Sequence, residues 1–476
     1  MKKRRLSILL SIVMLFSLLP TTALAASPDD AVALYNGNKK LISLSDGQCL
    51  TANNADSATS YTSGDSYVAR YESSSGTLYL KGYEGVGAQG GIVANGDLNI
   101  VVESNSSFTT SRTSNDNLMG IQSGNGKLNI SGNGKLTVSA NGNGDVYGIY
   151  AKEGVTISAP LDVTVGENDT AKNDSVYGIY TMSGAISLSG GEKTITAMSG
   201  STGAAYAVYN KVQTSSTGAD NGKIDISGKL TVTPNLYGTN YGIYAGSGGI
   251  ITLESATANI SGYFDTCIYN NNGNVVIKNS PSVTLTSTMS NGKGIYARYG
   301  GDLIIENSTV TVSAKGLPAN VEKGELSIKD STVNLTLDDS YHRVVETKSD
   351  AENTIDLSGS GTVTLTALGN QTSAMISGKV TATPGTKIEK GTPNVNSYNG
   401  EYDGSSKTVL KFVHETTAPT ATVEDVTIGG TTGTAITAAE VVITLTNDTF
   451  ESTLSGDWIT NLPAGLSQSV SYTDNT

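Results

Sequence analysis

The chain has 476 residues, a formal charge of −13, 55 glycines, 23 tyrosines and only two cysteines and two histidines. An acidic balance without Lys/Arg clusters argues against nucleic acid and anionic membrane as partners. Cys49 and Cys267 stand too far apart in sequence to read as a disulfide framework, and His342 and His414 leave no material for a histidine-based metal site.

The first residues read as a targeting segment. Lys2, Lys3, Arg4 and Arg5 precede an apolar run from Leu6 to Leu19, and Ala23-Leu24-Ala25 offers a cleavage site before Ala26. This predicts a signal peptide over 1–25 and a secreted mature chain. No later stretch is apolar enough to span a bilayer, so no transmembrane segment is expected after cleavage. Residues 26–90 precede the regular repeats. Within them Ser66–Tyr71 and Thr77–Leu80 alternate around a Ser/Gly turn, which predicts a hairpin and an N-terminal cap.

From Gly91 a motif recurs: GIVA, GIQS, then YGIYA at Tyr147, YGIYT at Tyr177, YAVYN at Tyr206, YGIYA at Tyr241, CIYN at Cys267 and GIYA at Gly294. The central apolar residues Ile92, Ile121, Ile149, Ile179, Val208, Ile243, Ile268 and Ile295 are 29, 28, 30, 29, 35, 25 and 27 residues apart. Each repeat holds three short alternating runs separated by glycine turns, as in Ile121, Leu128–Ile130 and Leu136–Val138. Three strands in about 28 residues predict a right-handed parallel β-helix over 91–390, with ten or eleven coils and a length of roughly 50 Å. A propeller blade needs four strands and roughly 40 residues or more, and no 3.6-residue period supports a helical solenoid. A β-sandwich array is the remaining alternative.

After Ile295 the triplets lose their tyrosine. Leu326/Ile328 with Val333/Leu335 form one coil, Val344, Ile355/Leu357 and Val363/Leu365 the next, and Met375 and Val380 a shortened last one. Residues 391–415 read as a closing cap and 416–420 as a linker. Residues 421–476 read as a partial immunoglobulin-like, β-sandwich-like module holding Trp458, shorter than the roughly 100 residues of a full sandwich.

The segment SGTLYLKGYEG from Ser75, GGIVANGDLNIVVES and the GIYA coils resemble secreted Firmicutes β-helical repeat surface proteins of the "carbohydrate-binding domain-containing" type. The resemblance covers about residues 60–415. The tail, with TGTAITAAEVVITLTNDTF and ITNLPAGL, resembles bacterial immunoglobulin-like repeats of Gram-positive cell-wall proteins. It implies a chain secreted and associated with the cell wall or cell surface.

Candidate chemistry comes from the strand faces. Strict alternation places Tyr147, Ile149 and Ala151 on one face and Gly148 and Tyr150 on the other. With Ile149 inward, Tyr150, Tyr180, Tyr209, Tyr244, Tyr269 and Tyr296 form one outward row. Such a row suits a polysaccharide, whether a host or cell-wall glycan, and equally suits a ladder that stiffens the sheet. Thr137, Thr164, Thr231, Thr284, Thr311 and Thr364 occupy outward positions of the third strand. They could meet a polysaccharide or ice, although uneven coils and interrupting bulges argue against an ice-lattice match. For catalysis, LDDSYHRVVE brings Asp338, Asp339, His342, Arg343 and Glu346 to one turn without a partner in the next coil. Asp225 and Asp302 stand alone. No cofactor is expected, apart from calcium held weakly at NGNGD (Asn141–Asp145) or GENDT (Gly166–Thr170). The reading is a non-catalytic adhesion or binding protein. A pectate-lyase-like carbohydrate-active enzyme and a structural stalk are the alternatives.

Overall fold

The computed structural model describes residues 31–415 except 167–174, 201–202, 212–221, 235–237, 339–342, 369–374, 395–396 and 403–406, together with 420–423, 434 and 443–446. Residues 1–30, where the signal peptide is expected, and most of the tail, Trp458 included, lie outside the described residues. The chain divides into two units at His414/Glu415. The first is a parallel β-helix with roughly 28 residues per turn and three strands in each.

Eleven strands stack in parallel on the first side, from Ile92–Ala94 to Ile376–Ser377. The column Ile92, Ile121, Ile149, Ile179, Val208, Ile243, Ile268 and Ile295 pairs residue for residue, as the repeat spacing predicts, and every member is buried. The column then continues through Ala319, Val345 and Ile376. Sequence reading placed Val344 at this register; the pairing residue is Val345, with Val344 buried beside it. The second side runs through Leu98–Ser104, Leu128–Ser131 and Val155–Ile157, and the third through Ser106–Arg112, Leu136–Gly142 and Leu161–Gly166. Leu128, Ile130, Leu136 and Val138 all point into one continuous core because alternation turns every second side chain inward.

The corner between the second and third sides shows how short strands close into a coil. Asn279, Asn307 and Asp330 each take a left-handed backbone (φ 50, 46 and 44), a conformation that Asn and Asp tolerate better than bulkier residues. A buried serine follows each. The Ser280 N–H donates to Ser308 Oγ (3.0 Å) and the Ser308 N–H to Ser331 Oγ (3.1 Å). Each hydroxyl donates in turn to the carbonyl two residues back: Lys278, Glu306 or Lys329. The serines thus satisfy corner backbone groups that no strand pairs. On the second side, just before these corners, Glu254, Lys278, Glu306, Lys329 and Asp356 stack in register with alternating charge. Opposite charges on neighbouring strands favour this pairing over a slipped one.

One core column holds a lysine. Lys193 sits between Leu161 and Leu230 with 1% exposure, and its ammonium donates to the carbonyls of Ser158, Ser189 and Gly191. Burial draws its pKa down to about 8.

Both ends of the stack turn antiparallel. Ala31–Tyr35 pairs with Leu41–Ser45 and with the first-side strand Ile92–Ala94, and Ala69–Glu72 forms the expected hairpin with Thr77–Lys81. At the other end Lys407–His414 lies antiparallel on Thr362–Leu368, and Ser397–Asn399 on Ile376–Ser377. In the second unit Thr420–Val423 pairs antiparallel with Ile443–Thr446.

The serine ladder gives a direct test of the corner. Ser308→Ala leaves the Ser280 N–H without its buried acceptor and should cost about 1–3 kcal/mol. A lower melting temperature with an unchanged strand signal by circular dichroism is the expected result, and an unaltered melt would refute the ladder's role.

The tyrosine face

The strand Val146–Ala151 departs from alternation at one residue, and every tyrosine-bearing strand repeats the departure. Gly148 turns inward: a Cβ there would meet Val163 Cγ1 at 2.4 Å and the Gly178 carbonyl at 2.7 Å. Equivalent collisions await a Cβ at Gly178, Gly242 and Gly294, with Ile195, Ile260 and Val312 respectively. Where the position is not glycine it is Ala207 or Cys267, both buried in the core. Two inward residues in succession, Gly148 and Ile149, throw both flanking tyrosines outward. The expected parity is therefore corrected: Tyr147 does not accompany Ile149 into the core.

The outer surface consequently carries two rows. The predicted one, Tyr150, Tyr180, Tyr209, Tyr244, Tyr269 and Tyr296, is aligned strand by strand. A second row, Tyr147, Tyr177, Tyr206 and Tyr241, was missed because strict alternation was assumed. The signal that could have revealed it is the small residue inside every Y-x-x-Y doublet. None of the ten tyrosines joins the continuous core, although Tyr147, Tyr180 and Tyr269 are themselves buried, by their neighbours in the rows.

The rings contact one another throughout. Tyr147, Tyr177, Tyr206 and Tyr241 stack face to face with centroids 4.7, 5.2 and 5.0 Å apart. The longer row mixes stacked steps (Tyr150–Tyr180, 5.5 Å; Tyr244–Tyr269, 4.5 Å) with edge-on ones (Tyr209–Tyr244, 4.8 Å; Tyr269–Tyr296, 5.2 Å). Ring faces in the stacked steps are occupied by other rings. What remains for solvent is edges and phenol tips, and no phenol oxygen of the ten is among the buried, unpartnered side-chain atoms.

A polar cluster closes the longer row. Tyr296 donates to Glu322 (2.6 Å), Arg298 donates to the Tyr269 hydroxyl (3.2 Å), and Arg298 pairs with Glu322 at 3.4 Å. The guanidinium also lies 4.2 Å from the centroid of the exposed Tyr299 ring. Asn320 takes the next place after Tyr296, and Glu346 the one after that.

Other predicted candidates are dispersed. Residues 339–342 of the acidic turn lie outside the described residues. Asp225 is paired with Lys223 at 2.8 Å, and Asp302 accepts the Glu325 N–H at 2.9 Å. In the NGNGD turn Asp145 accepts the Ser175 N–H, while the GENDT turn beyond Gly166 is outside the described residues. Among the described residues no group of three His, Cys, Asp or Glu side chains is placed to hold a metal ion, and no helix is long and apolar enough to cross a membrane. Comparison with protein-family models, curated proteins and solved structures found no match.

Burial of the rows raises the pKa of Tyr147, Tyr150, Tyr177, Tyr180, Tyr209, Tyr241, Tyr244 and Tyr296, and pushes that of Tyr206 up to about 12. Below about pH 10 these phenols are neutral in both folded and unfolded chains, and the ladder contributes its full stability. Above it the unfolded chain loses protons first, so stability falls as pH rises. Absorbance at 295 nm should therefore show these nine phenols ionising only above about pH 10, together with unfolding. Titration of all 23 tyrosines in one step near pH 10 would contradict the packed rows.

Proposed function

We propose that the protein is a secreted, non-catalytic surface protein that binds polysaccharide along its tyrosine face. The observation carrying this reading is the pair of outward tyrosine rows, confined to the coils between Tyr147 and Tyr296 while the core continues on both sides. A scaffold needing only stacking for stiffness would have the same reason to carry it in every coil. Aromatic edges are electropositive, and phenol hydroxyls donate as well as accept. A half-buried strip of edges and hydroxyls thus favours an oxygen-rich chain over an apolar one. The strand spacing of about 4.8 Å repeats the same donors at each coil, which suits a polymer of repeated units.

The face-to-face steps also favour a second reading, in which the rows only stiffen a stalk. Phenylalanine replacements separate the two because they keep the rings and delete the hydroxyls. The triple change Tyr180→Phe, Tyr209→Phe and Tyr244→Phe should leave the melt near that of the parent. It should weaken binding in a glycan array or insoluble-polysaccharide pull-down by roughly a hundredfold, from about 1 kcal/mol per hydroxyl. Undiminished binding would remove the tyrosine face from the proposal, and absence of any glycan binding would leave the stalk. Release of unsaturated uronides from polygalacturonate would instead favour a lyase.

A further inference from the structure

The third side carries a different array. Across five successive strands its outward positions are Thr257, Asn259 and Ser261; Ser282, Thr284 and Thr286; Thr309, Thr311 and Ser313; Thr332, Asn334 and Thr336; and Thr362, Thr364 and Thr366. The alternate residues, such as Val283, Leu285, Val310 and Val312, face the core. All fifteen outward positions are Thr, Ser or Asn, without a charge or an aromatic ring, on a chain whose net charge is −13. Two of the three columns extend through Thr194/Thr196 and Thr231/Thr233. Ion pairs appear only beyond the array, as Lys135–Asp162 and Lys229–Glu192 before it and Lys411–Glu389 after it.

The sequence objections to a lattice on this side are removed by the register. From Thr257 to Thr366 the third-side strands pair without an offset. The nearest register shift falls earlier, at Ile226/Gly228, and uneven coil length is absorbed in the connections. One predicted row is corrected: Thr164 pairs with Ser139 and Thr196, one column away from Thr137, which pairs with Asp162. The result is a grid with spacings of about 4.8 Å along the rod and about 6.7 Å across it. Among the described residues the only side-chain hydrogen bond within the grid runs from Ser261 to Asn259 (2.6 Å), so the threonine hydroxyls face outward without protein partners.

We propose that this face binds ice. A neutral hydroxyl grid offers a soluble sugar hydrogen bonds alone, of the same order of about 1 kcal/mol each as those of the phenols. It also offers no ring for the C–H face of a pyranose. A solid built of water is different. Waters held on the hydroxyls bridge to it with bonds nearly as good as direct ones, so the face need not be desolvated. The rigid strands are ordered in advance, and a solid engages all fifteen positions at once, which removes most of the ordering cost of association. The absence of charge complements a neutral lattice and leaves the acidic remainder of the chain outside the contact. This inference is independent of the tyrosine face.

The full chain should shape ice crystals and show thermal hysteresis in nanolitre osmometry. The double change Thr286→Tyr and Thr311→Tyr, at the centre of the grid, should abolish both without altering the strand signal or the melt. Should that variant misfold, Thr284→Val with Thr311→Val keeps the shape and removes two hydroxyls, and should reduce the hysteresis. The tyrosine-row triple variant should retain full ice activity. No hysteresis from the parent chain, hysteresis that survives both third-side variants, or grid-dependent adsorption to microcrystalline cellulose in its place would each overturn the proposal.

Discussion

Backbone hydrogen bonds between successive coils fix the distance from any side chain to its counterpart one turn later at about 4.8 Å. That single spacing governs the remainder of the molecule. It is close to aromatic stacking distance, short enough for an ion pair, and tight enough to keep a column of branched apolar side chains in contact. Each side of the prism uses it differently. The first stacks tyrosines, the second alternates Glu254, Lys278, Glu306, Lys329 and Asp356, and the third repeats hydroxyls. Inside, the same spacing packs the isoleucine column and the Ser280–Ser308–Ser331 ladder.

The two outward arrays differ in what the pitch leaves available. Tyrosines one coil apart consume each other's ring faces, with each pair contributing about 0.5–1.5 kcal/mol of its own, so much of their binding capacity is spent within the protein. Threonines one coil apart do not bond to one another and keep their hydroxyls for a partner outside. The tyrosine face therefore combines rigidity with a narrow strip of polar tips, whereas the third side remains an open grid.

Much of this was legible in the chain. The eight apolar marks from Ile92 to Ile295 pair in the predicted register because spacing near 28 residues and glycine turns leave few other ways to bury them. The first-side strand Ala319–Val321 was not foreseen, since it lacks the tyrosine that marks its predecessors. The second tyrosine row was hidden by the assumption of perfect alternation. Only tertiary contact shows why the inward position 148 must be small: Val163, from the third side of the coil, fills the space a side chain would need. The threonine columns were misaligned for a related reason. Register across coils is set by pairing between distant strands, and turn lengths read from sequence locate it only to within a residue or two. The buried Lys193 has no sequence signature; it stands where a leucine would, and only the surrounding carbonyls make it tolerable.

The antiparallel strands at the two ends carry a consequence for assembly. A parallel coil presents on its last turn the same row of backbone donors and acceptors that it offered to the turn before, so an uncovered end is a template for another copy. Lys407–His414 occupies that edge on the third side and Ser397–Asn399 on the first, both running in the direction opposite to the coils. A strand of reversed polarity satisfies the edge while breaking the pattern an incoming coil would have to continue. On these two sides the reversed strand ends the series of turns and leaves no parallel edge for a further coil to continue.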